Sequence, residues 1–154
     1  MRRTIQRALV IVLAGAVLGL AANAVSPRRI PYLTPPKAAV QAEDTIALQQ
    51  AQELWAGGAA FFLVAREPAD YAAVHIAGAL SLPIEEFNDR FSPVERILTP
   101  DATIITYCDG LDCDLSIRLM VRLRELGFHN VHHLVNGWSE WRRAGLATHT
   151  GELP

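Results

Sequence analysis

Ala102-Thr-Ile-Ile-Thr-Tyr-Cys-Asp-Gly-Leu-Asp-Cys-Asp114 is an apolar run that closes on a cysteine and opens into a short acidic loop. Residues 102–107 read as a strand buried on both faces. From about Asp114 to Leu126 the pattern turns helical, with Arg118, Arg122 and Glu125 on one solvated face and Gly127 as the stop. A strand, a tight loop and a helix in that order set the Cys108 thiol beside unpaired backbone N–H groups and the positive end of a helix dipole. Both favour the thiolate, so Cys108 is the candidate reactive sulfur.

Working outward, Ala59-Ala-Phe-Phe-Leu-Val-Ala65 is a second continuous apolar run, Ala79 to Leu82 a short third strand, and Val131 to Val135 a fourth. Helical patterns lie between them. The first runs from a cap at Asp44 or Thr45 to Trp55 and is stopped by Gly57-Gly58. Pro68 to Val74 suits a short helix with proline in its first turn. Ile84 to Leu98 reads as a helix that Pro93 is expected to interrupt, and Gly137 to Ala144 as a last helix before Gly145. Strands alternating with helices predict an α/β fold with a parallel sheet covered on both faces. In such folds sites collect at the carboxyl ends of strands, where Cys108 stands.

The amino-terminal part of the 154-residue chain is different in kind. Residues 1–7 form a basic tail, 8–25 are uncharged and apolar, and 26–43 are a linker containing Pro27, Pro31, Pro35 and Pro36. Eighteen residues of helix span roughly 27 Å, just enough for a bilayer's hydrocarbon core. A transmembrane anchor is the expectation, and a cleaved signal peptide is the competing reading because Ala22-Asn-Ala24 fits a cleavage site. Either places the folded domain, 44–154, on the periplasmic or extracytoplasmic side, secreted or periplasmic if the signal is cleaved. From Val40 onward there are 16 acids against 8 arginines and no lysine, a formal charge of −8. That argues against nucleic acid or anionic lipid as a partner of the domain, leaving the membrane to the amino-terminal helix. Two cysteines are too few for a disulfide scaffold.

Four segments follow one another with ordinary spacing between about Asp44 and Ala147. They are Arg66-Glu-Pro-Ala-Asp-Tyr71 with His75-Ile-Ala-Gly-Ala79, then Tyr107-Cys108-Asp-Gly110, Leu126-Gly-Phe-His-Asn-Val131, and Gly137-Trp-Ser-Glu-Trp-Arg-Arg-Ala-Gly145. Together they resemble the signature elements of a rhodanese-like domain. The resemblance implies a three-layer α/β/α fold around a five-stranded parallel sheet, here preceded by one transmembrane helix. It implies a sulfurtransferase that forms a persulfide on Cys108 and passes sulfane sulfur to an acceptor thiol. By position, the backbone N–H groups of Asp109, Gly110, Leu111, Asp112, Cys113 and Asp114 would cradle the second sulfur. No cofactor is implied, and the partners are a small sulfur donor or protein-bound sulfur and the acceptor thiol. Two alternatives stay open: a non-catalytic rhodanese-like binding module, and a thiol–disulfide switch between Cys108 and Cys113 at the membrane.

The chain departs from the family pattern in ways that bear on substrate. Val64 stands where an acid usually precedes the signature arginine, and Cys113 where Arg, Lys, Thr or Ser is common. Cys113 either packs the loop or acts as a resolving thiol. Asp109, Asp112 and Asp114 disfavour a second anion, which steers the expected donor away from thiosulfate toward neutral or protein-bound sulfur. A related branch of the fold hydrolyses phosphate esters with an arginine six residues after the cysteine; here that residue is Asp114. Elsewhere the readings are structural. His75 satisfies a hydrogen bond, Trp138 and Trp141 belong to the core, and Arg66 clamps Asp70 or Glu67. His132 and His133 are adjacent on a strand and face opposite ways, so they do not share a metal ion. Ser116, in a first helical turn, either bonds into the loop or caps the helix.

Overall fold

The computed structural model describes residues 2–25, 41–110 and 113–151 of the chain, which divides into two units, Met1–Pro36 and Lys37–Pro154. In the first unit, α1 spans Arg2–Val25. Among the described residues, however, no helix is long and apolar enough to cross a membrane. The transmembrane helix expected over 8–25 is therefore not supported. Most of the linker, 26–40, lies outside the described residues.

The second unit alternates strands and helices, as the hydrophobic pattern predicts. In chain order these are β1 (Thr45–Ile46), α2 (Leu48–Ala56), β2 (Phe61–Val64), α3 (Pro68–Ala73), β3 (His75–Ile76) and β4 (Leu80–Ser81). A 3-10 turn at Ile84–Glu86 leads into α4 (Phe87–Glu95), followed by β5 (Ile104–Tyr107), α5 (Leu115–Glu125), β6 (Val131–Leu134), α6 (Gly137–Arg143) and β7 (Thr148–His149). The main sheet has five strands in the order β1-β6-β5-β2-β4, and every pair in it is parallel.

Side-chain alternation along the strands sorts the core into two layers. Leu63 and Ile104 join α4 and α5 through Phe87, Leu119, Met120 and Leu123. Phe62, Val64, Ile105 and Tyr107 face the other way, onto Ala51 of α2, Tyr71 of α3 and Trp138 and Trp141 of α6. Helices on both faces of a parallel sheet give the three-layer architecture.

Three elements differ from the sequence reading. Thr45 and Ile46 pair with His133 and Leu134 as an edge strand before the first helix, which begins only at Leu48. β3 and β7 form a separate antiparallel pair that brings His75 opposite His149. Pro93 does not interrupt its helix, because α4 ends two residues later and the missing N–H deprives only the Asp89 carbonyl of an i+4 donor.

Candidate active site

Register sets the site. Val64, Tyr107 and Leu134 are aligned across β2, β5 and β6, so three central strands end at one level and Cys108 is the next residue of the middle strand. Its carbonyl accepts the N–H of Trp138 at 3.2 Å, tying the loop to the start of α6. Tyr107, one residue earlier, is fully buried and accepts the Ile76 N–H at its phenol oxygen, 3.0 Å away. Burial holds that phenol protonated, raising its pKa well above the ordinary range.

The chain then turns through Gly110, whose φ of +80° is the left-handed region that glycine reaches without strain. It enters α5 at Asp114, whose carbonyl accepts the Arg118 N–H at 2.9 Å. Cys108 and Cys113 are joined in a disulfide, with Cα atoms 6.4 Å apart. That separation lies within the usual Cα–Cα range of disulfides. Cys108 is 2% exposed, whereas Cys113 is half-buried, so Cys113 is the more exposed residue of the pair.

Of the residues expected to cradle a second sulfur, Asp109, Gly110, Cys113 and Asp114 flank this turn; Leu111 and Asp112 lie outside the described residues. Asp109 is exposed and accepts the Ser139 hydroxyl at 2.8 Å. Asp109 also lines a cleft of about 290 Å³ with Trp138, Ser139, Arg142 and Arg143. The acidic loop thus faces two arginines that sequence reasoning did not connect with it. Arg143 pairs with Glu140, and the Arg142 guanidinium lies 5.6 Å from the centre of the Trp138 ring. The signal was the tandem arginine following Trp141, which spacing alone does not aim at a loop thirty residues upstream.

Behind the disulfide lies a buried polar group that the sequence reading left divided. Ser116 bonds inward instead of capping: its Oγ is 3.1 Å from Cys108 Sγ and 3.1 Å from Nδ1 of His133. In the disulfide Sγ carries no proton, so any bond between the first pair is donated by Ser116. His133 is 6% exposed and its pKa is lowered by that burial, while His132 turns to the opposite face and meets Asn130 Oδ1 through Nε2 at 2.8 Å. Among the described residues no group of His, Cys, Asp and Glu is placed to hold a metal ion.

His75 is fully buried, stacks on Tyr71 and meets the Tyr71 carbonyl through Nδ1 at 2.8 Å. Trp138 and Trp141 are core residues. Arg66 corrects the expectation of an ion pair with Asp70 or Glu67. It donates to the Val74 carbonyl, and its guanidinium sits 4.7 Å from the centre of the Trp138 ring. A buried arginine bonded to backbone fixes the α3–β3 corner with no carboxylate partner among the described residues.

Comparison with known proteins agrees with this geometry. A family model described as a Rhodanese-like domain matches residues 47–144, and the chain belongs to that family. Among curated relatives, an HTH-type transcriptional regulator of Mycobacterium tuberculosis is 38% identical over 82 residues, covering 53% of this chain and 34% of the regulator. An uncharacterised Synechocystis protein is 31% identical over 108 residues, covering 70% and 57% respectively. The chain therefore spans only a third to just over half of these relatives' lengths. The rhodanese-like domain of an Anabaena protein superimposes with a TM-score of 0.58 at 27% identity, covering 70% of this chain and 79% of that one. A thiosulfate sulfurtransferase from Pseudomonas aeruginosa gives 0.58 at 26%, covering 70% of this chain and 20% of that one. A human single-domain sulfurtransferase, with a TM-score of 0.57 at 20% identity over 65% of this chain and 96% of its own, shares the fold.

Proposed function

We propose that Cys108 is the sulfur carrier of a sulfurtransferase and that its disulfide with Cys113 is the oxidised form of the same site. The observation that carries this is the position of Cys108 at the end of the central strand, bonded to a more accessible cysteine across the turn into α5. In the reduced protein, the Cys108 thiolate attacks the outer sulfur of a persulfide donor, R–S–SH. The donor's S–S bond breaks, Cys108–S–SH forms and R–S⁻ leaves. An acceptor thiolate then takes the outer sulfur and regenerates the Cys108 thiolate. Alternatively, the Cys113 thiolate attacks Sγ of the persulfidated Cys108, releasing HS⁻ and closing the disulfide. Backbone N–H groups of Asp109, Gly110, Leu111, Asp112, Cys113 and Asp114 are proposed to hold the charge on the outer sulfur. With Asp109 and Asp114 flanking the cysteine, a neutral or protein-bound sulfane donor suits the site better than thiosulfate.

Intact mass of the reduced protein after exposure to a persulfide donor tests the reading. The expected product is one sulfur atom heavier and is lost in Cys108→Ser. Retention of the added sulfur in that variant, or no adduct on the reduced parent, overturns the assignment and leaves the non-catalytic binding module.

The paired cysteines favour a second reading, a thiol–disulfide switch that opens and closes the carrier. Acid-quenched protein from its native host should then contain both disulfide and dithiol forms, and two free thiols under every condition would sink the switch. The pair also supports an oxidising, extracytoplasmic location. Recovery of the protein in the cytoplasmic fraction with reduced cysteines would overturn that placement.

A further inference from the structure

Three buried side chains from three different elements form a continuous polar line. Cys108 follows β5, Ser116 stands in the first turn of α5, and His133 lies in β6 with Thr45 and Thr106 as its register partners on either side. Ser116 is fully buried, Cys108 is 2% exposed and His133 6%. A serine in a first helical turn ordinarily caps its own helix or bonds back to local backbone. This one spends its hydroxyl on two side chains instead, each 3.1 Å away. Its carbonyl is pinned by the Thr106 hydroxyl at 2.9 Å, which fixes the helical turn that presents it.

We infer that Ser116 and His133 are a buried proton relay for Cys108, acting as positioning residues for its ionisation. When the reduced thiol loses its proton, Sγ–H passes it to Ser116 Oγ as the Ser116 proton moves to Nδ1 of His133. The products are a thiolate and an imidazolium with one hydroxyl between them. Cys108 leaves the opened disulfide already as a thiolate, and it is protonated through Ser116 only once the imidazole has taken up the proton shed by the attacking reductant thiol. The opening itself needs a thiol reductant that attacks the sulfur of half-buried Cys113 and is oxidised to its disulfide.

The ring is free to accept because it is held neutral by burial and not by a neighbouring cation. The arginines of α5, which packs on β6, are already engaged. Arg124 of α5 bonds Asp44 ahead of β1 and the Val131 carbonyl; Arg118 pairs with Glu85, and Arg122 with Glu125. Asp109 of the loop accepts the Ser139 hydroxyl, while among the described residues the Asp114 carboxylate has no hydrogen-bond or ion-pair partner. Inside a low-dielectric site the new imidazolium and thiolate stabilise each other, which offsets the cost of creating them.

The inference rests on Cys108 being the reacting sulfur, but its test requires no sulfur transfer. In the full chain carrying Cys113→Ser, ultraviolet thiolate absorbance of Cys108 is followed against pH. Ser116→Ala and His133→Asn in that background should reduce the thiolate fraction near neutrality by about tenfold, one unit of displacement. Ser116→Thr, which keeps the hydroxyl, should stay within about threefold of the background. If the Ala and Asn variants are folded by circular dichroism and titrate with the background protein, the contacts are packing and the relay is overturned. Nitrogen NMR of the His133 ring in the unsubstituted protein needs no folded variant: reduction of the disulfide should shift Nδ1, and an unmoved signal overturns the relay. A displaced titration without any sulfur adduct would sink the persulfide reading alone, while an adduct with an unchanged titration would sink only the relay.

Discussion

His133 shows how burial alone converts an ordinary residue into a pH-dependent one. Its folded pKa lies below the unfolded value of ~6.5, so the unfolded chain binds a proton that the native state refuses. That contribution to stability is complete above ~6.5 and is lost as pH falls from there toward the folded value. Urea midpoints should therefore decline as pH falls below about 6.5 in the parent and decline less in His133→Asn. Asp44 acts in a lower window. Its carboxylate is held below the usual range first by the Arg124 hydrogen bond and then by the Gln41 N–H. Stability from this group is present above ~3.9 and disappears as pH drops through the depressed value. Asp44→Asn should flatten that acid limb, read as the change in urea midpoint between about pH 4 and 2.

Between β6 and α6 the elements meet at almost backbone distance. A Cβ added to Gly137 would stand 2.8 Å from Tyr107 Cβ and 3.0 Å from Leu134 Cγ, closer than side chains tolerate. Gly137→Ala should cost about 1–3 kcal/mol as an overpacked contact, measured by chemical denaturation. Because α6 also carries the Trp138 N–H that binds the Cys108 carbonyl, the same substitution should perturb the loop. The helix on the other face responds oppositely, by cavity formation. Leu119 is fully buried against the sheet, and Leu119→Ala should lower stability by about 2–5 kcal/mol in the same assay.

At the scale of the whole domain, the disulfide is a small staple on a fold that already has two apolar layers. Its cysteines are five residues apart, and closing so short a loop contributes about 2 kcal/mol in the chain-entropy account. Urea unfolding with and without a dithiol reductant should differ by about that amount, with the reduced protein still cooperatively folded. Full unfolding on reduction would show that the pair is a structural necessity and not a redox element. The acidic surface after Val40 does not make the site uniformly negative, since α6 turns Arg142 and Arg143 toward Asp109.

The amino-acid order by itself determined the alternation of strands and helices, because buried parallel strands read as continuous apolar runs and Gly57, Gly127 and Gly145 mark their helix ends. It also determined the family, since the signature segments are local and have fixed spacing, and it singled out Cys108 as the candidate sulfur. The two-residue strands β1, β3 and β7 carry no periodicity of their own and exist only through their partners. The approach of Cys113 to Cys108 depended on how the loop curls around Gly110, and the aim of Arg142 on how α6 packs. Alternation showed that His132 and His133 face apart, but not what either one meets. Only the tertiary structure decided that, because parallel register and the seating of α5 brought residues 108, 116 and 133 within hydrogen-bond reach, and sequence distance holds no record of such contacts.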